Sequence, residues 1–171
     1  QRSGAKLVYF QTSLCYGPTS GLVSVGSVLD PRGSYAVSKT AGEAYIRDSG
    51  VPYVSLRLAN VYGPRNLSGP VPVFYQRLTE GQPCTVVDSR RDFVFIDDLV
   101  ELALQAGEKG QGIYHASSGS DLSIATIYDA VARAVGVSDA PPKVTPRGAD
   151  DVATLLLDPT ETYLEYGWAA R

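Results

Sequence analysis

Cysteine and histidine are scarce in this sequence, which limits the kinds of site that it can build. Two cysteines, Cys15 and Cys84, and one histidine, His115, occur among the 171 residues. The cysteines form no CxxC pair and neither lies near the histidine, so the sequence predicts neither a zinc site nor a disulfide framework. We therefore expect no metal, and a reducing compartment such as the cytoplasm.

The sequence also lacks an excess of positive charge. Fifteen Lys and Arg against eighteen Asp and Glu give a formal net charge of −3, which provides no broad basic field to attract nucleic acid or an anionic membrane. No apolar run approaches the ~20 residues that a membrane-spanning helix needs, and no signal-peptide pattern opens the chain. Because 44% of the residues are hydrophobic, we expect a soluble protein with a packed core.

Apolar and helix-forming segments alternate in a way that predicts an α/β fold. Residues 6–13 are β-branched and aromatic, which is typical of a buried strand in a parallel sheet. Helix formers over residues 34–48 predict a helix that ends before Gly50, and residues 51–58 predict the next strand. A strand, a helix and a strand in this order form a βαβ unit, which is half of a doubly wound parallel sheet.

Beyond residue 66 the pattern is less regular and predicts a smaller mixed α/β lobe. The expected helices cover residues 71–80, 97–107 and 123–135, with a short one near Thr160, and the expected strands cover residues 84–87 and 113–116. Gly and Pro recur in residues 17–33 and 141–151, which predicts loops. We assign residues 1–66 to the doubly wound domain and residues 67–171 mainly to the lobe, with segments that return to the sheet.

Tyr35 and Lys39 give the first indication of chemistry. They lie four residues apart on a predicted helix, so their side chains project from the same face. A tyrosine hydroxyl is a weak base at neutral pH because its reference pKa is ~10. A nearby ammonium favours the phenolate, so Lys39 can make Tyr35 a base. The alternative for this pair alone is a tyrosine packed on the sheet beside a solvated lysine.

Thr12, at the carboxyl end of the first predicted strand, strengthens the first interpretation. Ligands of an open parallel sheet bind outside the carboxyl ends of its strands, so the Thr12 hydroxyl is expected to face the same crevice as Tyr35. The three residues then form a proton-handling set, in which Tyr35 is the base, Lys39 tunes it and Thr12 orients the substrate oxygen. Taken alone, Thr12 would be an ordinary β-branched strand end.

Five segments together resemble the NAD-dependent epimerase/dehydratase family of extended short-chain dehydrogenase/reductases, which act on nucleotide sugars. The segments are QTSLCYG from Gln11, SYAVSKTAGE from Ser34, RLANVYGPR from Arg57, RRDFVFIDDL from Arg90 and the closing pattern from Asp151 through LDPTETYLEYGW. They occur in the family's order with similar spacing, although none of them alone would be specific. The resemblance is greatest to bacterial UDP-sugar 4-epimerases, and it implies a Rossmann-type sheet.

The resemblance implies an NAD cofactor and a UDP-sugar substrate. Tyr35 would deprotonate a sugar hydroxyl, Lys39 would also hold the nicotinamide ribose, and Thr12 would hydrogen-bond the reacting oxygen. Hydride would pass to NAD and return to the other face of the 4-keto sugar. The resemblance also implies the remaining binding residues: Leu58 for the cofactor, Ser13 for the substrate, Asn60 and Arg91 for the diphosphate, and Asp151 for the uridine ribose. A homodimer of the full-length protein is expected.

Those binding residues also have simpler interpretations. Asn60 could be a turn-forming residue, Arg91 a surface arginine beside Asp92, and Asp151 a solvated loop aspartate. Arg91 suits a diphosphate because a guanidinium pairs bidentately with phosphate oxygens. We favour binding for Arg91 and Asn60, and leave Asp151 open between the two interpretations.

Two features depart from the family's pattern. Ser13 and Leu14 follow Thr12, where related dehydratases carry an acidic pair and related decarboxylases usually carry a glutamate at the second position, so elimination chemistry is disfavoured. No glycine-rich turn, which would cradle the cofactor pyrophosphate, precedes the first strand. We therefore expect the chain to be the carboxyl-terminal part of an epimerase, inactive by itself and lacking the first strands of its sheet.

Arg65 is the residue on which the choice of sugar rests. A uronate carboxylate needs a cation or several amide donors, and Arg65 follows the NVYG segment that borders the sugar pocket in the family. This favours UDP-glucuronate and UDP-galacturonate slightly over UDP-glucose and UDP-galactose. Two other functions stay open: a nucleotide-sugar dehydrogenase or reductase that releases its oxidised product, and a non-catalytic NAD-binding regulator. The regulator would have no reason to keep Thr12, Tyr35 and Lys39 together.

Overall fold

The structure, a computed structural model, describes residues 4–19, 21–137, 141–147 and 154–171. The helices are α1 (Gly33–Asp48), α2 (Pro70–Thr79), α3 (Ile96–Glu108), α4 (Ile124–Val135) and α5 (Thr160–Tyr166). The strands are β1 (Leu7–Thr12), β2 (Leu22–Val23), β3 (Tyr53–Leu58), β4 (Asn60–Tyr62), β5 (Thr85–Val87), β6 (Arg90–Arg91), β7 (Phe93–Phe95), β8 (Gly112–Ala116), β9 (Leu122–Ser123), β10 (Lys143–Thr145) and β11 (Thr154–Leu157). Among the helices in these ranges, none is both long enough and apolar enough to cross a bilayer.

The main sheet consists of parallel strands in the order β1-β3-β8. Thr12 at the end of β1 lies opposite Leu58 at the end of β3, which in turn lies opposite Ala116 at the end of β8. The predicted βαβ unit is confirmed, because α1 connects β1 to its parallel neighbour β3. All three carboxyl ends therefore meet at one edge of the sheet, where ligands of parallel sheets bind.

Alternation along β3 gives the main sheet two different faces. Val54 and Leu56 belong to the apolar core that the sheet shares with α3 and α5. Ser55 and Arg57 point to the opposite face, where both donate hydrogen bonds to Glu43 of α1. Because successive side chains of a strand point to opposite faces, β3 packs against α3 through apolar contacts and against α1 through polar ones.

A second core lies between α2, α4 and β5. It includes Phe74 and Tyr128, whose rings meet edge to face with centroids 5.4 Å apart, a favourable arrangement for aromatic pairs. Two further short parallel pairs form, β4 with β7 and β6 with β11. β8 pairs with β3 in the main sheet. The division of the chain near residue 66, with later segments returning to the sheet, stays a prediction.

All of the predicted helices and strands are present, with ends shifted by at most two residues. The prediction of loops is wrong for parts of two segments, because β2 lies within residues 17–33 and β10 within residues 141–151. These strands of two or three residues pair with β11 and β5, which are remote in sequence. Such short strands are too brief for periodicity to indicate them.

Candidate functional site

A cavity of about 360 Å³ opens where β1 and β3 end. Its walls come from β1 and the 3₁₀ turn that follows it, the start of α1, the end of β3 with β4, and the strands β6 and β11. The lining residues are Gln11, Thr12, Ser13, Leu14, Tyr35, Leu58, Ala59, Asn60, Val61, Arg91 and Leu155. Six predicted site residues are in this set: Thr12, Ser13, Tyr35, Leu58, Asn60 and Arg91.

Thr12 is held at the end of β1 by hydrogen bonds through both its backbone and its side chain. Its hydroxyl oxygen accepts a hydrogen bond from the backbone N–H of Leu14 at 3.2 Å. Its own backbone N–H donates to Oε1 of Gln11 at 2.8 Å. Because the hydroxyl is the acceptor in the first bond, its proton can be donated to another oxygen, which suits it to orient a substrate hydroxyl.

Tyr35 and Lys39 lie one turn apart on α1, but the structure places them differently. The Tyr35 side chain is 59% exposed and lines the cavity at the start of the helix. Lys39 is half-buried and is not among the lining residues. Its ammonium lies 4.2 Å from the centre of the Tyr9 ring, and its carbonyl accepts hydrogen bonds from the Tyr9 hydroxyl at 2.9 Å and from Gln11 Nε2 at 3.0 Å.

Asn60 and Arg91 are brought together through Asp92. The backbone N–H and the side-chain Nδ2 of Asn60 both donate to the Asp92 carbonyl, at 2.9 and 3.0 Å, and Arg91 is the preceding residue on β6. The Asp92 carboxylate is buried, which raises its pKa, and it accepts hydrogen bonds from the hydroxyls of Ser117 and Ser118. An amide and a guanidinium at one cavity wall can together bind an anion.

Two predicted residues are not placed in this cavity. Asp151 lies outside the described residues. Arg65 follows β4 with a φ of 69°, in the left-handed region that side chains other than glycine rarely adopt. It lines a second, largely apolar cavity of about 830 Å³, together with Tyr62, Phe95 and Arg171. Substrate binding by Arg65 and Asp151 stays a prediction.

Gln11 and Asp92 are residues of the site that the sequence did not single out. Gln11 is 1% exposed and Asp92 is also 1% exposed, and each bonds to residues that line the cavity. The sequence offered one signal, a polar residue within or beside an apolar strand. Such a residue needs a hydrogen-bond partner if the fold buries it. The pattern could not identify those partners, which come from other parts of the chain.

Comparisons with known sequences and structures identify relatives of this chain. The sequence profile of the NAD dependent epimerase/dehydratase family matches residues 1–118. The UDP-glucose 4-epimerase of Mycolicibacterium smegmatis is 31% identical over 155 residues, which are 82% of this chain and 49% of that protein. The crystal structure of the Bordetella bronchiseptica enzyme WbmG in complex with NAD and UDP has a TM-score of 0.92 at 43% identity, covering 98% of this chain and 55% of WbmG.

A second solved structure is similar to this chain to about the same degree. The Bordetella bronchiseptica enzyme WbmH in complex with NAD+ has a TM-score of 0.88 at 45% identity, covering 95% of this chain and 56% of WbmH. The chain spans about half the length of these relatives. The family match extends from the start of the chain past β8, and therefore over the whole main sheet and every residue of the first cavity except Leu155. This chain belongs to the NAD dependent epimerase/dehydratase family.

Proposed function

We propose that the full-length protein epimerises a UDP-sugar at C4, with NAD as a bound cofactor. One observation carries this proposal: Thr12 and Tyr35 line the same cavity as Asn60 and Arg91. Thr12 and Tyr35, which can transfer or hold a proton, therefore line the same cavity as Asn60 and Arg91, which are suited to bind a diphosphate. The names of the relatives support the substrate and the cofactor, since one is a UDP-glucose 4-epimerase and another was solved with NAD and UDP.

Tyr35 and Leu58, which line the cavity, and Lys39, one helical turn after Tyr35, fit an NAD cofactor. Tyr35 is largely exposed, and Lys39 follows it on the same helix face without an acidic partner among the ion pairs of the described residues. Lys39 would hold the nicotinamide ribose, and Leu58 would give an apolar contact at the end of β3. NAD, when bound, supplies the chemistry of taking a hydride from C4 and returning it to the opposite face.

The protein's own residues would handle the proton and the phosphates. Tyr35 would remove the proton of the O4 hydroxyl during oxidation and return it during reduction. Lys39 would favour the phenolate form of Tyr35 by its positive charge, and the Thr12 hydroxyl would donate to O4. Asn60 and Arg91 would hold the diphosphate, so that the sugar can turn over while the nucleotide stays bound.

Replacing the proposed base tests this function. In the full-length protein, Tyr35→Phe should lower turnover by at least the ~100-fold expected of a lost general base, with UDP-sugar binding nearly intact. Tyr45→Phe is the matched control, since Tyr45 lies on the same helix, is 78% exposed and is absent from the cavity lining. Turnover at the wild-type rate in Tyr35→Phe would remove Tyr35 from the mechanism.

A dehydrogenase or reductase with the same three residues is the main alternative. Such an enzyme would release an oxidised or reduced sugar and consume free cofactor in proportion to product. An epimerase regenerates its cofactor in every cycle. Incubation with a UDP-sugar and added NAD should therefore produce the 4-epimer without the accumulation of reduced nicotinamide, and stoichiometric accumulation would favour the alternative.

For the sugar, we propose a preference for UDP-glucuronate and UDP-galacturonate. The support comes from Arg65, which follows β4 and lies four residues after Val61, a lining residue of the first cavity. In the structure the Arg65 side chain lines the second cavity, so the preference requires it to turn towards the first cavity when substrate binds. UDP-glucose and UDP-galactose are the alternative substrates, which need no cation at that position.

We also propose that the full-length protein forms a homodimer. Ala36 and Glu43 are the buried residues of α1, whereas Val37 is 49% and Tyr45 is 78% exposed on the same helix. Exposed apolar side chains on one element support an interface between proteins. Light scattering of the full-length protein at several concentrations should give twice the monomer mass, and a monomer mass throughout would contradict the proposal.

A further inference from the structure

We propose that Gln11 is a positioning residue whose buried carboxamide sets the distance between Thr12 and Lys39. The inference rests on the proposed function, because it assigns to Gln11 the alignment of two groups that take part in that reaction. Gln11 itself would not transfer a proton. It would act through the backbone atoms of the two residues that it links.

The geometry of the link is specific. Nε2 of Gln11 donates to the Lys39 carbonyl at 3.0 Å, and Oε1 of Gln11 accepts from the Thr12 backbone N–H at 2.8 Å. A carbonyl can only accept and a backbone N–H can only donate, so the two contacts fix the orientation of the amide. The Gln11 side chain is 1% exposed, and water therefore competes little for either bond.

The link is one of several polar contacts that hold α1 against the sheet, since Glu43, one turn after Lys39, accepts hydrogen bonds from Ser55 and Arg57 of β3. Ala36 and Glu43 are the buried residues of α1, so the helix presents little apolar surface to the sheet around Lys39. The Tyr9 hydroxyl donates to the same Lys39 carbonyl at 2.9 Å and anchors the helix to β1. Gln11 both anchors the helix and bonds to Thr12, so it couples the position of the helix to the residue that would orient the substrate oxygen.

Removal of the amide should misplace the reacting groups without disturbing the phosphate contacts. Gln11→Leu has a similar volume but leaves the Thr12 N–H without its acceptor. We expect kcat of the full-length enzyme to fall by roughly 10- to 100-fold, since a displacement of about 1 Å can cost ~100-fold. KM for the UDP-sugar should change little, because Asn60 and Arg91 are untouched.

Gln11→Glu gives a sharper test, because it keeps the shape and makes one of the two bonds depend on pH. An ionised carboxylate can still accept from Thr12 but repels the Lys39 carbonyl, whereas a protonated carboxyl can donate to that carbonyl. The reference pKa of glutamate is ~4.3; burial would raise it, whereas the Lys39 ammonium, which lies over the Tyr9 ring, would lower it. We expect kcat of Gln11→Glu, relative to wild type, to rise as the pH is lowered from about 8 to about 6.

Matched controls come from Gln111 and Tyr9. Gln111 is exposed next to the amino end of β8, at the opposite end of the sheet from the cavity, so Gln111→Leu and Gln111→Glu should keep the wild-type kcat and pH profile. Tyr9→Phe keeps the ring beneath the Lys39 ammonium and removes one bond to the Lys39 carbonyl. It should lower kcat less than Gln11→Leu does.

Three outcomes would overturn the inference: wild-type kcat in Gln11→Leu, a wild-type pH profile in Gln11→Glu, or an equal loss in Tyr9→Phe. The last result would mean that anchoring of α1 alone sets the rate. If Gln11→Leu does not fold, the isosteric Gln11→Glu decides the question. Failure of the proposed function is distinguishable, because it would appear as an active Tyr35→Phe enzyme, whatever the behaviour of the Gln11 variants.

Discussion

Arg57 and Glu43 form a buried ion pair between β3 and α1. Nη2 of Arg57 lies 2.5 Å from Oε1 of Glu43, and Nε lies 3.2 Å from Oε2, with both side chains 2% exposed. The Ser55 hydroxyl donates to the same carboxylate at 2.6 Å. Glu43 lies one helical turn after Lys39 and two turns after Tyr35, on the same helix face. The pair therefore holds α1, the helix that carries the proposed base, against the sheet.

Breaking this pair from one side should destabilise the protein strongly. Glu43→Ala would leave the Arg57 guanidinium buried without its carboxylate, and we expect the free energy of unfolding to fall by about 3–5 kcal/mol. Urea unfolding of the full-length protein measures this change. The exposed pair between Arg32 and Asp30, with side chains 67% and 54% exposed, gives the control: Arg32→Ala should change the free energy of unfolding by less than ~1 kcal/mol. Equal effects of the two variants would contradict the prediction.

His115 ends a hydrogen-bonded chain that begins at the same ion pair. Nη1 of Arg57 donates to the Tyr16 hydroxyl at 2.6 Å, and because a guanidinium only donates, the Tyr16 proton is left for Nε2 of His115, also at 2.6 Å. Nδ1 of His115 then carries the ring proton and donates to the Asp158 carbonyl at 2.9 Å. The chain is fully satisfied when His115 is neutral.

The free energy of unfolding should therefore depend on pH through His115. Burial lowers the pKa of His115 to about 4, whereas the reference value is ~6.5. The unfolded state binds the proton more readily, so this stabilisation is complete above pH ~6.5 and is lost as the pH falls towards 4. The difference between the two pKa values corresponds to about 3 kcal/mol. Urea unfolding from about pH 7.5 to 4.5 should show a shallower decline for His115→Gln than for wild type, and parallel curves would contradict the assignment.

The extent to which the sequence predicted this structure differs between its long and its short elements. Helix formers over residues 34–48 predicted α1 to within one residue, because a long segment carries many consistent local preferences. β6 has two residues and exists through pairing with β9 and β11. Neither partner is near it in sequence, so no local pattern could indicate it.

The same distinction holds for the site. Thr12 and Tyr35 lie on well-predicted elements, and the parallel order of the strands was enough to place them at one edge of the sheet. The bonds of Gln11 could not be predicted, because alternation gives the face of a side chain but not the helix carbonyl that stands opposite it. The burial of Arg57 and Glu43 could not be predicted either. Charged residues are rarely buried unless they are paired, and no local pattern indicated that these two residues form a pair.

Arg91 and Arg90 are adjacent on β6 and offer a matched test of the proposed diphosphate contact. Arg91 lines the cavity, whereas Arg90 pairs with Asp121 at 2.6 Å. Arg91→Ala should weaken UDP and the UDP-sugar by the same factor, roughly 10-fold or more, as expected for a lost hydrogen bond to a charged group. Calorimetry of the full-length protein should show near-wild-type affinity for Arg90→Ala. Unchanged UDP affinity in Arg91→Ala would refute the contact.

The choice of sugar can be tested through Arg65. If its guanidinium meets a carboxylate, the full-length enzyme should convert UDP-glucuronate faster than UDP-glucose. A buried cation that faces a neutral hydroxymethyl group remains unpaired, at a cost of roughly 1–3 kcal/mol. We therefore expect wild type to discriminate between the two substrates by about tenfold or more in kcat/KM.

Arg65→Ala should remove most of that discrimination by lowering activity on UDP-glucuronate while changing activity on UDP-glucose little. Arg171→Ala provides the control, because Arg171 lines the same second cavity as Arg65 but is paired with Asp98 and Glu101. A general disturbance of that cavity would affect both variants and both substrates alike, whereas a carboxylate contact would affect Arg65→Ala with the uronate alone. Chromatographic separation of the 4-epimers gives the rates. Faster wild-type conversion of UDP-glucose would exclude the uronate preference and leave the proposed proton transfer by Tyr35 unaffected.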